Sequence, residues 1–132
     1  MSQYIAVEGM TLAIVEGSPT TVLGTISIIG SPSTINRINN NGVYLDGLEV
    51  SVTNITSPEG GATTADPGPV TGYINASVSK VKENGTLVLV NGDETDILNA
   101  TPQIPGSPKP TDYPVTFRVR IINSNNTKVE AK

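Results

Sequence analysis

Apolar and polar residues alternate with a period of two in several short stretches of this 132-residue chain. Leu48, Val50 and Val52 share one parity and are separated by polar or acidic residues, and the stretch 74–79 follows the same pattern. Because successive side chains of a β-strand point to opposite faces of the sheet, this period predicts half-buried strands. Residues 117–121 also alternate, with Arg118 and Arg120 at the polar positions. We therefore expect a strand there with a basic outer face.

Turn signals separate these stretches. Asn84-Gly85 predicts a hairpin whose return strand is 87–90, and Asn91-Gly92 predicts the next turn. Asn41-Gly42 and Asp46-Gly47 give the corresponding turns in a shorter unit. Thirteen Gly and ten Pro residues leave little room for a long helix. The predicted fold class is therefore all-β: a compact single domain of short strands and hairpins, cone-like or a sandwich.

An internal duplication of about 45 residues organises the middle of the chain. Asp46 and Asn91 each begin the same pattern: Asp or Asn, Gly, any residue, Glu, four residues, then Asn-x-Thr. Two loops rich in proline and glycine, at 57–69 and 102–114, hold equivalent places in the two units. The expected division is N-terminal strands at 1–27, repeat unit one at 28–70, repeat unit two at 71–115 and a partial third unit at 116–132.

Composition and charge limit which classes of function and partner are possible. The core must be built from aliphatic side chains, because the chain has one Phe and no Trp. A net charge of −4 with eight basic residues argues against a nucleic-acid partner. No apolar run reaches the 18 residues or so of a membrane span, so no membrane anchor is expected. The first residues, Met1-Ser2-Gln3-Tyr4, do not resemble a signal peptide, so we expect synthesis in the cytoplasm.

The residues available for chemistry argue against an enzyme. Without His or Cys, the usual catalytic triads, zinc sites and thiol chemistry cannot be built. Glu49 and Glu94, the two acids matched by the duplication, could form the carboxylate pair of a glycoside hydrolase. Both follow a turn glycine by two positions and should face solvent, and few aromatic residues are present to bind a sugar. We expect no catalytic residues.

No cofactor or metal site is predicted either. Asp93, Glu94 and Asp96 could hold Ca²⁺, but the spacing of an EF-hand loop is absent and a solvated turn is the better interpretation. Gly60-Gly61 lacks the Lys-Ser/Thr and the helix signal of a phosphate-binding loop. Basic residues on the expected strands could face an acidic partner or protect sheet edges from aggregation; they are Arg37, Lys80, Lys82, Arg118 and Arg120.

The alternation of turns, strands and Asn/Asp-Gly pairs resembles the PAAR-repeat tip proteins of contractile injection machines. The matching stretches are Gly30-Ser31 to Gly47 and Gly72-Tyr73 through Gly92, and Pro67–Gly72 resembles the link before the second repeat. The likeness covers residues 28–116. The Pro-Ala-Ala-Arg signature is replaced by residues 48–51 and 93–96, and the ligands of the usual apical metal site, His and Cys, are absent.

The resemblance implies a structural tip that caps the trimeric spike of a phage tail, bacteriocin or type VI secretion system. One copy of such a protein would bind each spike trimer. It would aid membrane puncture and attach cargo or an effector. It would be made in the bacterial cytoplasm and assembled into a virion or injection apparatus. The alternative is a β-sandwich binding module that decorates a virion or belongs to a fibre or adhesin, and a carboxylate hydrolase is a third hypothesis.

Overall fold

The computed structural model describes residues 3–33, 37–38, 41–77, 82–83, 86–126 and 130–131. Over these ranges the protein is all-β, as predicted, with one short 3-10 helix at Pro58–Gly60. The strands are β1 Gln3–Tyr4, β2 Thr11–Ser18, β3 Leu23–Ile28, β4 Arg37–Ile38, β5 Asn41–Gly42, β6 Leu48–Ser57, β7 Ala62–Asp66, β8 Val70–Asn75, β9 Lys82–Glu83, β10 Thr86–Leu87, β11 Glu94–Thr95, β12 Leu98–Ala100, β13 Gln103–Ile104, β14 Thr111–Asp112, β15 Val115–Asn123 and β16 Glu130–Ala131.

The main sheet is antiparallel and curls until its two edges meet. Its order is β3-β6-β8-β11-β15-β2, and β12 continues beside β15 where β11 ends. The edge strands β2 and β3 are joined by residues 19–22 and lie against each other, because a Cβ placed on Gly24 would be 3.3 Å from Ile14 Cδ1. The sheet therefore encloses one interior.

The interior is filled by the alternating aliphatic residues that the sequence indicated. On β15, Val115, Phe117, Val119 and Ile121 are buried, while the residues between them are half-buried. Leu48, Val50 and Val52 of β6 and Ile74 of β8 pack into the same core. This period-two burial is what a sheet with one covered face requires.

Three short segments at one end of the molecule repeat the same conformation. The corner segments are defined as residues 4–10, 42–48 and 87–93, related by offsets of 38 and 45. Each carries a glycine with positive φ at its sixth position: 88° at Gly9, 81° at Gly47 and 95° at Gly92. Glycine adopts this conformation without the steric cost that a Cβ brings. The duplicated glycines thus share one conformation with a third that the sequence analysis did not group with them.

The corner segments are joined by two cyclic sets of backbone hydrogen bonds. Ala6 N–H donates to Leu89 O (2.9 Å), Leu89 N–H to Tyr44 O (3.0 Å) and Tyr44 N–H to Ala6 O (3.0 Å). A second ring of hydrogen bonds joins the same segments in the opposite order, with N···O distances of 2.8–2.9 Å. In this ring Glu8 N–H donates to Gly42 O, Asp46 N–H to Leu87 O and Asn91 N–H to Tyr4 O. Each segment therefore donates to and accepts from both of its neighbours, as three-fold symmetry would demand.

The rest of the chain follows the same three-fold plan. Each corner segment is followed by a strand that runs away from the corner segments, here called the outgoing strand (β2, β6 or β11–β12). A second strand then runs back towards them, here called the returning strand (β3, β8 or β15). Each returning strand pairs with the outgoing strand of the next unit: β3 with β6, β8 with β11 and β15 with β2. Three small ladders lie beside the corner segments, β4–β5, β9–β10 and β1–β16. The N-terminal and C-terminal strands together complete the third ladder.

The structure differs from the sequence-based expectation at Asn41-Gly42 and adds strands to the two long loops. Asn41-Gly42 was expected to be a turn, but these residues form β5 and pair antiparallel with β4, through Arg37 with Gly42 and Ile38 with Asn41. The ladder β9–β10 agrees with the hairpin expected around Asn84-Gly85, although those two residues lie outside the described ranges. The two long loops contain the strands β7, β13 and β14, and they pair with each other through Thr64 and Gln103.

Candidate functional site

The corner segments separate two apolar clusters. The corner cluster is defined as the six aliphatic side chains at the second and fourth positions of the segments, Ile5, Val7, Val43, Leu45, Val88 and Val90. All but Leu45 are buried, and they meet through three antiparallel bridges, one between each pair of segments. The residues at the third position, Ala6, Tyr44 and Leu89, face the main core instead. The end of the molecule that carries these segments, here called the corner end, is therefore packed on both sides of its backbone rings.

Two aspartate side chains, one buried and one exposed, join the corner end to the chain that follows β8. Asp93 is 3% exposed, and its Oδ2 accepts from Val90 N–H (2.9 Å) while its Oδ1 accepts from Ser77 N–H (3.2 Å). Burial raises the pKa of this carboxyl, although the hydrogen bonds from Ser77 and Val90 act in the opposite direction. Asp46 is exposed and makes a similar bond, from Ala76 N–H to its Oδ1 (2.6 Å). Two aspartates thus hold the segment that leaves β8.

The first corner segment is fastened by a different set of polar groups. Glu8 Oε1 accepts from Gly42 N–H (2.7 Å), and Asn125 Nδ2 donates to Glu8 O (2.7 Å). Burial and, to a smaller extent, the negative charge of Glu8 raise the pKa of the Tyr44 hydroxyl. These contacts tie the segment after β15 to the beginning of the chain.

Exposed aliphatic side chains gather at the corner end of the outer surface. Ile28 and Ile29 lie at the end of β3 and are 37% and 53% exposed, and Ile122 at the end of β15 is 51% exposed. We call these three residues the apolar rim. Leu23, at the opposite end of β3, is 51% exposed and lies beside the loops instead.

The two arginines of β15 form an ion-pair cluster on the outer face of the sheet. Glu94 binds Arg118 (Oε2···Nη1 3.0 Å) and Arg120 (Oε1···Nη2 2.6 Å) from the neighbouring strand β11. Glu16 approaches the same arginines from β2, with 3.8 Å to Arg118 Nε and a close contact to Arg120. The hydrogen bond to Glu94 is the main cause that raises the pKa of Arg120. These arginines therefore have acidic partners within the chain.

The carboxylates considered from the sequence are not brought together. Glu49 on β6 and Glu94 on β11 lie on either side of β8, opposite Tyr73 and Asn75, so their Cα atoms are about 12 Å apart. The Glu94 carboxylate binds the arginines of β15, on the side away from β6. Asp93 points inward, Glu94 contacts the arginines and Asp96 is exposed, so these three do not converge on one point. Among the residues that the structure describes, no group of three acidic side chains could hold a metal ion.

The other candidates have local roles or lie outside the described part. Gly60 and Gly61 end the 3-10 helix, where Gly61 N–H donates to Pro58 O (2.9 Å) at a φ of 83°. The backbones of Arg37 and Lys82 belong to β4 and β9. Lys80 lies outside the described residues.

The sequence analysis missed the first corner segment. The signal that could have found it is the series Val7-Glu8-Gly9, Leu45-Asp46-Gly47 and Val90-Asn91-Gly92, in which an aliphatic residue and a polar residue precede the glycine. The unequal offsets of 38 and 45 hide this series from a search at one fixed period. The polar residue varies as well, because each corner uses different groups to fasten its neighbours.

Comparisons with known proteins identify no relative. No protein-family model, curated protein or solved structure matches this chain. In the described part of the chain, no helix has the length and apolar character needed to cross a membrane.

Proposed function

We propose that this protein is a structural tip that caps the trimeric spike of a contractile injection machine, such as a phage tail or a type VI secretion system. In this role one copy sits on the three-fold axis of the spike, aids puncture of the target membrane and offers an attachment point for cargo. The observation that carries the proposal is the three-fold arrangement of the corner segments within one chain.

The symmetry of the corner end suits a trimeric partner. A single chain bound on a three-fold axis normally meets three identical subunits with three different surfaces, so at most one contact can be optimal. Here the two hydrogen-bond rings and the three small ladders repeat the same backbone arrangement three times within one chain. One chain can therefore make three similar contacts with three copies of one subunit.

The apolar rim favours the corner end as the docking face. Ile28, Ile29 and Ile122 lie at that end, next to the strands that lead into the corner segments. Because these side chains are about half exposed, burying one of them at an interface contributes about 1 kcal/mol. The rings and the closed sheet hold this surface stiff, so little conformational entropy is lost when it binds.

Binding to a trimeric spike tests the proposal. The purified 13.7 kDa chain should be a monomer and should bind a truncated spike trimer from the same genome at one copy per trimer, measured by native mass spectrometry. A stable trimer of this chain, or three copies on each spike trimer, would contradict the proposal. Many copies on each intact particle would favour the decoration or adhesin module instead.

A matched pair of variants tests which end docks. Ile29→Asp and Leu23→Asp change residues of similar exposure at opposite ends of β3. We expect Ile29→Asp to weaken spike binding by about tenfold or more, because an aliphatic contact is replaced by a charge, whereas Leu23→Asp leaves it unchanged. Equal effects of the two variants would show that the corner end is not the docking face.

A further inference from the structure

An interruption in the third outgoing strand opens the wall of the sheet. β11 pairs with β8 only at Ile74 and Asn75, and after Asp96 and Ile97 the chain continues as β12, whose ladder is with β15. The corresponding strands β2 and β6 run without a break for eight and ten residues. The interruption therefore departs from the three-fold plan at one place on the outer face.

Specific contacts maintain the interruption. The hydroxyl of Thr95, which is 1% exposed, accepts from Val119 N–H (3.1 Å) and donates to Asp96 O (2.8 Å). A threonine hydroxyl can do both at once, so it satisfies backbone groups that a continuous ladder would otherwise pair. Arg118 Nη1 also donates to Thr95 O (3.0 Å). The chain is thereby fixed in a conformation that turns Asp96 and Ile97 outward.

A depression of about 280 Å³ lies where the wall opens. Gly72 lies at its floor, and a Cβ there would come within 2.9 Å of Leu98 Cδ2, so Leu98 packs closely over a residue without a side chain. Tyr73 is 55% exposed beside it, which makes it the most exposed aromatic side chain of the described residues. The lining residues are Thr71, Gly72, Tyr73, Asn75, Asp96 and Leu98.

The polar groups around this depression are free to bind a ligand. The Tyr73 hydroxyl, the Asn75 amide and the Asp96 carboxylate are all exposed and make no side-chain hydrogen bond among the contacts of the described residues. Together with the hydroxyl of Thr71 they provide both donors and acceptors around one aromatic ring. No basic side chain lines the depression, and Arg118 and Arg120 are held by Glu94, so an anion has no charged partner there.

We propose that the Tyr73 depression binds a neutral saccharide. A pyranose ring has an apolar face of C–H groups that can lie against the tyrosine ring, and hydroxyls at its edge that can donate to Asp96 and exchange hydrogen bonds with Asn75 and Thr71. An amphipathic site with a few placed polar groups is typical of small-molecule recognition. The volume is at the small end for ligand sites and suits one sugar ring. This site is on the side of the sheet and does not depend on the spike-tip proposal.

An NMR titration tests the proposal with defined sugars. The ¹⁵N-labelled chain is titrated with glucose, galactose, mannose, N-acetylglucosamine, cellobiose, maltose and N,N′-diacetylchitobiose. We expect at least one of them to bind with a millimolar dissociation constant and to shift the amide resonances of Thr71, Tyr73, Asn75 and Asp96. Such weak binding is normal for a shallow site with one aromatic contact. If none of these sugars shifts the resonances, or if the shifts lie elsewhere, the proposal is wrong.

Variants separate recognition from a general surface effect. Tyr73→Ala should weaken binding by about tenfold or more, because it removes the stacking surface. Tyr73→Phe retains that surface and should bind within a few-fold of the parent protein. Leu23→Ala, which is similarly exposed on β3 and lies outside the depression, is the matched control and should bind as the parent does. Each spectrum also reports whether the variant is folded. Unchanged binding by folded Tyr73→Ala would overturn the proposal.

Discussion

Asp93 offers the sharpest test of how the corner end is held together. It occupies the position that Met10 and Leu48 hold in the other two corner segments, where both side chains are apolar and buried. At the third corner a carboxylate accepts from two backbone N–H groups instead, those of Val90 and Ser77. The substitution Asp93→Asn preserves the shape of the side chain but leaves it only one acceptor oxygen.

The expected cost follows from the hydrogen bonds that are lost. In Asp93→Asn one of the two N–H groups faces the amide nitrogen, and a buried donor without a partner costs about 1–3 kcal/mol. Asp46→Asn is the matched control, because Asp46 accepts from one backbone N–H, that of Ala76, which the remaining amide oxygen can still accept, and the side chain is exposed to water. We expect the control to cost about 0.5–1 kcal/mol.

Urea unfolding followed by circular dichroism measures both free energies of unfolding. Asp93→Asn should lower the midpoint clearly more than Asp46→Asn, with an unchanged denaturant slope for each variant. If the two variants are equally stable, or if Asp46→Asn is the less stable, the buried carboxylate does not hold the corner end as described.

Three further predictions concern pH, the outer ion pairs and the corner glycines. Because burial raises the pKa of Asp93 in the folded state, its contribution to stability is full below the ordinary aspartate pKa and is lost as the pH rises through the raised value. The stability of the parent protein relative to Asp93→Asn should therefore increase as the pH falls from 7 towards 4, and a constant difference would contradict this. Glu94→Gln removes the half-buried partner of both arginines and should cost about 1 kcal/mol, less at high salt, whereas Glu16→Gln at the more exposed position should cost less than about 0.5 kcal/mol. Gly92→Ala has space for its methyl group but places alanine at a φ of 95°, so thermal unfolding should show a loss of about 1 kcal/mol or more, and a neutral result would refute the left-handed conformation.

The two longest strands, β6 and β15, could be predicted from the sequence because their alternating apolar residues face the core. Leu48, Val50 and Val52 are all buried, although Ser51 between them is buried too, and from Phe117 to Ile121 burial keeps the period of two. The turn glycines of the duplication, Gly47 and Gly92, were also recognisable, because each follows Asp or Asn in a turn signal. The alternation of apolar residues and the turn signals are both local features of the sequence, so they can be recognised without the tertiary structure.

The three-fold closure could not be predicted in the same way. The ring contacts join Ala6, Tyr44 and Leu89, which differ in size and are separated by 38 and 45 residues. Their backbone groups make the contacts, so the side chains give little indication of the equivalence. Asp93 was expected in a solvated turn because it follows Asn91-Gly92, and only the approach of Ser77 and the end of β15 buries it.

Amide hydrogen exchange at the two backbone rings tests the three-fold closure most directly. If the corner segments form one cooperative unit, the amide protons of Ala6, Tyr44 and Leu89 exchange only when the whole protein unfolds, and NMR yields one common free energy of opening for all three. An amide of Ala6 that exchanges orders of magnitude faster than those of Tyr44 and Leu89 would show that the first segment is not part of the ring, and the three-fold account would then be wrong.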